Sequence, residues 1–220
     1  MSLGRRLAAE SIGTALLLAA IIGSGIMGEE LAGGNSAIAL LANTVATGAA
    51  LVALILTFGP ISGAHYNPLV SVAEAIWGRL SWREVPFYAV AQVIGAFAGV
   101  AAAHVMFGHE LFSASRHVRA GLPQVWSEFV ATFGLICVIL ATVKTRPTVV
   151  PFAVAAFITA AYWFTASTSF ANPAVTLARA ASDTFAGIFV NDVPGFLLGQ
   201  ALGAVAAIAT MKWFLSSSAR

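Results

Sequence analysis

Six long apolar segments dominate this sequence and restrict the chain to structures that a lipid bilayer can accommodate. A helix that crosses a hydrocarbon core of about 30 Å needs about 20 mostly apolar residues. Hydrophobic residues make up 59% of the 220 residues and charged residues only 9%, and the mean hydropathy is +0.89. We therefore predict an all-α membrane protein with six transmembrane helices. The predicted spans are Leu7–Met27, Ser36–Phe58, Val85–Phe107, Val125–Val143, Val149–Ala166 and Val193–Trp213.

The charge and cysteine content exclude several other classes of protein. The formal net charge is only +2, and the basic residues form no cluster, so we expect no nucleic-acid partner. The single cysteine, Cys137, excludes an intramolecular disulfide and a cysteine-based metal cluster. His109 and His117 alone would make a poor metal site, which favours a solvated loop. We therefore expect neither a metal site nor a cofactor.

The distribution of Lys and Arg predicts which side of the membrane each loop faces. With the N terminus in the cytoplasm, eight of the eleven basic residues lie on the cytoplasmic side, whereas Arg116, Arg119 and Arg179 lie opposite. We therefore expect a multi-pass protein of the cell membrane, plasma or inner, with both termini cytoplasmic. We expect no cleavage of the first span as a secretory signal, because Glu10 interrupts its apolar core and the run continues to Met27.

Three short motifs occur twice in the same order, and they divide this single transmembrane domain, 1–220, into two halves, 1–115 and 116–220. Because each half contains three predicted spans, an odd number, the second half must be inverted relative to the first. A site shared by inverted repeats lies near the bilayer midplane. The paired motifs are Glu10–Thr14 with Glu128–Thr132, Asn67–Ala75 with Asn172–Ala180, and Ala91–Ala98 with Gly199–Ala206.

Two Asn-Pro pairs begin short apolar runs that lie outside the six spans. Asn is a favoured N-cap, and Pro is favoured at the first helical position. Irregular backbone at membrane depth is tolerated where it is buried in protein or lines a wet cavity. We therefore predict two re-entrant half-helices whose N-termini meet at the centre. The pairs are Asn67-Pro68 and Asn172-Pro173, and the predicted half-helices are Pro68–Gly78 and Pro173–Asp183.

Two helix N-termini at the midplane would oppose the passage of cations. Each carries a partial charge of roughly +0.5, which raises the energy of a cation between them. An N-capping Asn uses its side-chain oxygen on backbone N–H groups, which leaves its amide NH2 to donate to a passing oxygen. A water molecule held by two such donors must point its hydrogens outward, which disfavours a continuous proton wire.

The doubled Asn-Pro motif, the Glu-x-x-x-Thr sequences and the inverted halves resemble the major intrinsic protein family, the aquaporins and aquaglyceroporins, over about residues 7–213. The resemblance implies an aquaporin-like fold, a passive channel rather than an enzyme, and a homotetramer with one pore in each chain. The first motif departs from the usual Asn-Pro-Ala, because Leu69 occupies the place that Ala174 has in the second. We expect Leu69 to narrow or reshape the midpoint of the pore.

The family resemblance also implies an outer constriction formed by four positions, counted here from the two Asn residues. Members of the family usually carry Arg at the last of these positions, where this sequence has Val175. The second position, Ala160, depends on helix register, since a shift of a few residues would bring in an aromatic residue from 162–164. The four residues are Thr47, Ala160, Ser169 and Val175.

Such a constriction predicts a wide filter, because Val lacks the size and the permanent charge of Arg. The expected solutes are water and small uncharged molecules, namely glycerol-like polyols, urea-like solutes and metalloid hydroxides such as arsenous acid. The second motif and its continuation, Asn172–Gly187, are similar to a bacterial branch of the family associated with arsenic resistance.

Glu10 and Glu128 are acidic residues inside predicted spans, where a charge is costly and often functional. Their symmetric placement favours a role as loop anchors, which accept hydrogen bonds from the backbone of the re-entrant segments. The alternative is a proton relay in an ion-coupled secondary transporter of a small solute. Arg179 could either line the outer mouth or stabilise the C-terminal end of its half-helix.

An intramembrane enzyme is a third possible class of protein, besides a channel and a secondary transporter. It would need a nucleophile with a base, or a metal centre. The nearest candidate nucleophile is Ser24, in the sequence Gly23-Ser24-Gly25, where the glycines are better explained by helix packing. We therefore predict no catalytic residues.

Overall fold

The structure is a computed structural model that describes residues 1–216. These residues form six long apolar helices and two short helices, which confirms the predicted fold class. The long helices are α1 (Leu3–Leu31), α2 (Ser36–Ser62), α4 (Val85–Phe107), α5 (Leu122–Thr145), α6 (Val150–Phe164) and α8 (Val193–Leu215). The short helices are α3 (Pro68–Ile76) and α7 (Pro173–Arg179), and single 3-10 turns, Pro147–Val149 and Val190–Asp192, precede α6 and α8.

The two short helices end earlier than the sequence predicts. In α3, Gly78 adopts a left-handed conformation (φ 73°), which reverses the chain two residues after the helix ends at Ile76. In α7, the carbonyl of Arg179 accepts hydrogen bonds from the N–H groups of Ser182 and Ile188, so the chain turns away instead of continuing the helix. Both half-helices are therefore about two turns long.

Close packing of equivalent helices gives the two halves the same interfaces. Helix α1 packs mainly against α4 and α2, and α5 packs in the same way against α8 and α6. At each of four glycines on α4 and α8, a side chain would collide with a backbone carbonyl of the facing helix. These contacts explain the paired small-residue motifs as packing surfaces. The glycines are Gly95, Gly99, Gly199 and Gly203.

The segments before the two half-helices share an unusual backbone conformation. Ala64 and Tyr66 have φ values of 50°, and Ser169 and Ala171 have values of 52° and 48°. In both segments, the left-handed residues are the third residue and the first residue before the Asn, which is Asn67 in one segment and Asn172 in the other. Non-glycine residues hold such conformations only when their surroundings fix them. The two re-entrant segments are therefore shaped by tertiary contacts, which the site described below supplies.

Candidate functional site

A cavity of about 220 Å³ runs through the centre of the helix bundle. It extends from Glu74, near the end of α3, to Arg179, the last residue of α7. Its walls are mostly apolar, and most of its polar groups come from the two re-entrant segments and half-helices. We call the side of the bundle where α1 begins the terminal face and the opposite side, where α7 ends, the far face.

The two Asn-Pro motifs meet at the middle of this cavity. As predicted for an N-cap, the Asn67 side-chain oxygen accepts a hydrogen bond from the N–H of Leu69 (2.9 Å). The Asn172 oxygen accepts from the N–H of Ala174 (3.0 Å) and more weakly from that of Val175 (3.4 Å). Both Asn residues are buried and line the cavity, and Pro occupies the first helical position of each half-helix.

Each Asn amide also binds the opposite half of the molecule. Asn67 Nδ2 donates to the carbonyl of Ala171 (2.8 Å), and Asn172 Nδ2 donates to the carbonyl of Tyr66 (2.7 Å). The sequence predicted a whole NH2 group free for solutes, but one of its two hydrogens is used in this way. Each Asn therefore keeps one N–H that no residue described by the structure accepts.

Glu10 is fully buried and accepts hydrogen bonds from the first re-entrant segment. One carboxylate oxygen accepts from the Ser62 hydroxyl (2.6 Å) and the N–H of His65 (3.0 Å). The other accepts from the N–H of Tyr66 (2.8 Å) and from the side-chain amide of Gln92 (2.8 Å). Two backbone N–H groups that would otherwise be unpaired inside the bundle are thus satisfied.

Glu128 makes the equivalent contacts in the second half. Its carboxylate accepts hydrogen bonds from the N–H groups of Phe170 (2.9 Å) and Ala171 (2.8 Å) and from the Gln200 side chain (2.6 Å). Glu128 is fully buried, and neither Glu10 nor Glu128 lines the central cavity. Both carboxylates therefore face the backbone of a loop and not the solute pathway.

Leu69 does not have the effect on the cavity that the sequence led us to expect. Its side chain is half-buried and packs against the apolar core, and it is absent from the cavity wall. The next residue, Val70, lines the cavity instead. The midpoint is therefore bordered by the two Asn residues without a contribution from the Leu69 side chain.

Three of the four predicted constriction residues line the cavity, but Ala160 does not. Thr47, Ser169 and Val175 are buried and border it, whereas Ala160 lies on the exposed surface of α6. Residues two apart on a helix point in nearly opposite directions, since each residue turns the helix by about 100°. The α6 side chain at this level of the cavity is therefore Tyr162, whose hydroxyl donates to the Thr47 hydroxyl (3.3 Å).

Arg179 is the cavity residue whose position the sequence left open. It lies one helical turn beyond Val175 on the same face of α7, and its side chain borders the cavity with only 2% of its surface exposed. Its Nε donates to the carbonyl of Ala186, and its guanidinium carbon lies 3.3 Å from the centroid of the Phe170 ring. The i, i+4 spacing from Val175 is the signal that could have placed it there.

Among the histidines of the described chain, one borders the central cavity. His65 lines the cavity, and its Nδ1 lies 3.0 Å from the Ser71 hydroxyl. Within residues 1–216, no group of three or more His, Cys, Asp or Glu side chains is arranged to hold a metal ion.

The fold and the paired Asn motifs define a membrane-channel architecture, and sequence comparison gives the family. Residues 1–150, more than half of the chain, match the family described as Major intrinsic protein. The chain therefore belongs to the major intrinsic protein family, whose members form passive channels for water and small solutes.

Two relatives support this assignment, and a solved structure shares the fold. The chain is 54% identical over 213 residues to aquaglyceroporin AqpS of Rhizobium meliloti (strain 1021), covering 97% of this chain and 91% of AqpS. It is 39% identical over 137 residues to aquaporin NIP1-4 of Oryza sativa subsp. japonica, covering 61% of this chain and 49% of that protein. The fold is similar to the X-ray structure of the aquaglyceroporin from Plasmodium falciparum, with a TM-score of 0.73, 19% identity and coverage of 98% and 97% of the two chains.

Proposed function

We propose that this channel passes small uncharged solutes larger than water, such as glycerol-like polyols and arsenous acid, as well as water itself. The observation that carries the proposal is the Val175 side chain on the cavity wall, where members of the family usually place an arginine. A valine neither fills the pathway nor holds a permanent charge there. The 54% identity to an aquaglyceroporin supports a solute range that extends beyond water.

The side chains around Val175 suit a solute with hydroxyl groups on one side and an apolar surface on the other. Tyr162 and Thr47 supply hydroxyls, and neither carries a charge. The Ser169 hydroxyl is buried and makes no hydrogen bond to any residue that the structure describes. Because an unpaired buried hydroxyl is unfavourable, a solute hydroxyl next to Ser169 would gain a hydrogen bond.

We propose that Glu10 and Glu128 act as loop anchors and not as a proton relay. A relay would need carboxylates that exchange protons with the solute pathway, whereas both acids lie outside the cavity wall and accept hydrogen bonds from loop N–H groups. The midplane also carries the N-termini of α3 and α7, whose partial positive charges oppose cations. These features support passive passage over ion-coupled transport.

We further propose that the protein works as a homotetramer in the cell membrane, plasma or inner, with both termini cytoplasmic. The distribution of basic residues supports the orientation. Large apolar side chains are exposed along the outer surface of the helices, where lipid or another copy of the chain would cover them. They include Ile38, Leu41, Val45, Val90 and Ile94.

The test is stopped-flow light scattering of proteoliposomes with a panel of solutes. We expect water, glycerol, urea and arsenous acid each to cross faster than in protein-free liposomes, without saturation and without an ion gradient. Flux of water alone would contradict the wide constriction, and solute uptake that requires a proton gradient would support the transporter.

Replacing Tyr162 tests which residue of α6 belongs to the constriction. We expect Tyr162→Ala to raise glycerol permeability severalfold more than water permeability, because it removes an aromatic ring from the cavity wall. Ala160→Leu is the matched control on the exposed face of the same helix, and we expect it to leave both fluxes unchanged. A larger change in selectivity for Ala160→Leu than for Tyr162→Ala would place the constriction on the other face of α6.

A further inference from the structure

A second cavity, of about 350 Å³, lies at the far-face end of the central cavity. Arg179 borders both cavities, and Arg119 and His117, from the segment between α4 and α5, border the second one. Asn43 and Trp163 are among the uncharged residues of its wall. Among residues 1–216, no Asp or Glu side chain borders this space, which we call the far-face vestibule.

Arg179 brings a buried positive charge to the vestibule, and none of the ion pairs within residues 1–216 includes it. It is only 2% exposed. Its Nε donates a hydrogen bond to the Ala186 carbonyl, whereas its two terminal nitrogens make no hydrogen bond to any residue from 1 to 216. A buried guanidinium is strongly disfavoured unless an anion or several acceptors accompany it.

Arg119 adds a second guanidinium that is balanced only by neutral groups. Its side chain donates to the carbonyls of Gly187 (2.8 Å), Ser167 (3.4 Å) and Phe185 (3.4 Å), and no carboxylate of the described chain pairs with it. Burial lowers the pKa of Arg119 to about 10, which leaves it charged at neutral pH. Arg119 and Arg179 both pack against the Phe170 ring, with guanidinium carbons 5.2 Å and 3.3 Å from its centroid.

The acidic residues of the same region are engaged outside the vestibule. Asp183 pairs with Arg116 (2.7 Å) and also accepts its backbone N–H, and these contacts hold the pKa of the Asp183 carboxyl below its usual value. Asp192 accepts a hydrogen bond from the backbone N–H of Arg119 (2.7 Å), and it does not border the vestibule. Glu128 attracts both guanidinium groups electrostatically, but its carboxylate is occupied by hydrogen bonds from Phe170, Ala171 and Gln200. Within the described residues, neither guanidinium group therefore forms an ion pair.

We propose that the far-face vestibule binds a small oxyanion, of the size of phosphate, between Arg179 and Arg119. A guanidinium group presents parallel N–H donors that match the oxygens of such an anion. The positive charge absent from position 175 is thus kept one helical turn further out, where it can recognise an anion. Because Arg179 borders the central cavity as well, the bound anion stands at the mouth of the pore and slows neutral solutes.

The direct test is a calorimetric titration of the full chain, in phosphatidylcholine nanodiscs, with inorganic phosphate at constant ionic strength. We expect saturable binding of one phosphate per chain, weakened about tenfold or more in Arg179→Gln because a charged partner is lost. Arg83→Gln removes an exposed positive charge from the terminal face and should bind phosphate like the wild type. Absence of saturable binding to the wild type, or equal weakening in both variants, would overturn the proposal.

Two additional measurements keep the test decisive if Arg179→Gln does not fold. In the wild type, phosphate should slow phenylglyoxal modification of Arg119 but not that of Arg83, and equal protection of both would contradict the site. Repeating the titration with phosphatidylglycerol in the nanodiscs should give the same affinity, whereas competition would assign the site to a lipid headgroup.

Phosphate should also slow glycerol efflux from wild-type proteoliposomes relative to chloride at equal ionic strength. This flux measurement rests on the proposed channel function, whereas the titration does not. Glycerol flux that phosphate leaves unchanged would remove the pore-mouth role, with the channel function intact. Saturable phosphate binding in a protein that passes no glycerol would leave the vestibule site standing without the channel.

Discussion

Val175→Arg should reduce glycerol and arsenous acid permeability about tenfold or more, while water permeability falls much less. A tenfold decrease corresponds to roughly 1.4 kcal/mol added to the barrier for passage. The guanidinium would narrow the cavity beside Thr47 and Ser169, two small residues that now share this space with Val175. Water is small enough to pass the remaining opening, and stopped-flow measurements on the same liposome preparation compare the two fluxes directly.

The matched control is Val175→Met, which adds length without charge or N–H donors. We expect it to reduce glycerol flux less than Val175→Arg, because Met is flexible and binds no solute oxygen. Equal losses of water and glycerol in Val175→Arg would show that position 175 does not select by size. Ionic current should stay small in the wild type as well, since the helix N-termini of α3 and α7 still oppose cations.

Glu10→Gln and Glu128→Gln should each produce much less folded protein and a lower melting temperature. An amide presents one oxygen and one NH2 group, so an N–H of His65 or Tyr66 would face a donor in place of an acceptor at Glu10. Each buried N–H left unpaired costs about 1–3 kcal/mol. The measurement is the fraction of monodisperse protein that remains after heating in detergent.

The control for this prediction is Glu30→Gln, which changes an exposed acid near the end of the same helix, α1. We expect it to fold and to melt like the wild type. Any Glu10→Gln protein that does fold should still show glycerol flux without a proton gradient. Proton-driven uptake that disappears in Glu10→Gln would instead identify a transporter.

A position within one regular element was predictable from the sequence, whereas counting across irregular backbone gave mixed results: Thr47 lines the cavity and Ala160 does not. Val175 follows Asn172 inside α7, so the spacing of three residues is a helical one and the side chain lines the cavity. Ala160 was counted backwards from Asn172 through the segment 165–172, which is not helical. The helical register is lost across such a segment, and Tyr162 takes the place expected for Ala160.

Hydropathy predicted the six long helices, because it measures the property that lets a segment lie in lipid. It did not predict the ends of the short helices, since these depend on single conformations such as that of Gly78. The sequence left open whether Arg179 lines the outer mouth, and it did not predict that Arg119 lies with it at the far-face vestibule. Arg119 reaches the site from a loop that is distant in the sequence, and only the folded chain brings it next to Arg179.

The two hydrogen bonds that the Asn side-chain amides donate across the midplane constrain the order in which this protein can fold during synthesis. The acceptor of the Asn67 amide, the carbonyl of Ala171, lies 104 residues further along the chain. A ribosome must therefore complete and release most of the second half before the first Asn can find its partner. Until then, the N–H groups of His65 and Tyr66 in the first re-entrant segment depend on Glu10, whose carboxylate also accepts a hydrogen bond from Gln92. The first half can enter the membrane early, but its centre acquires its final hydrogen bonds only when the second half arrives.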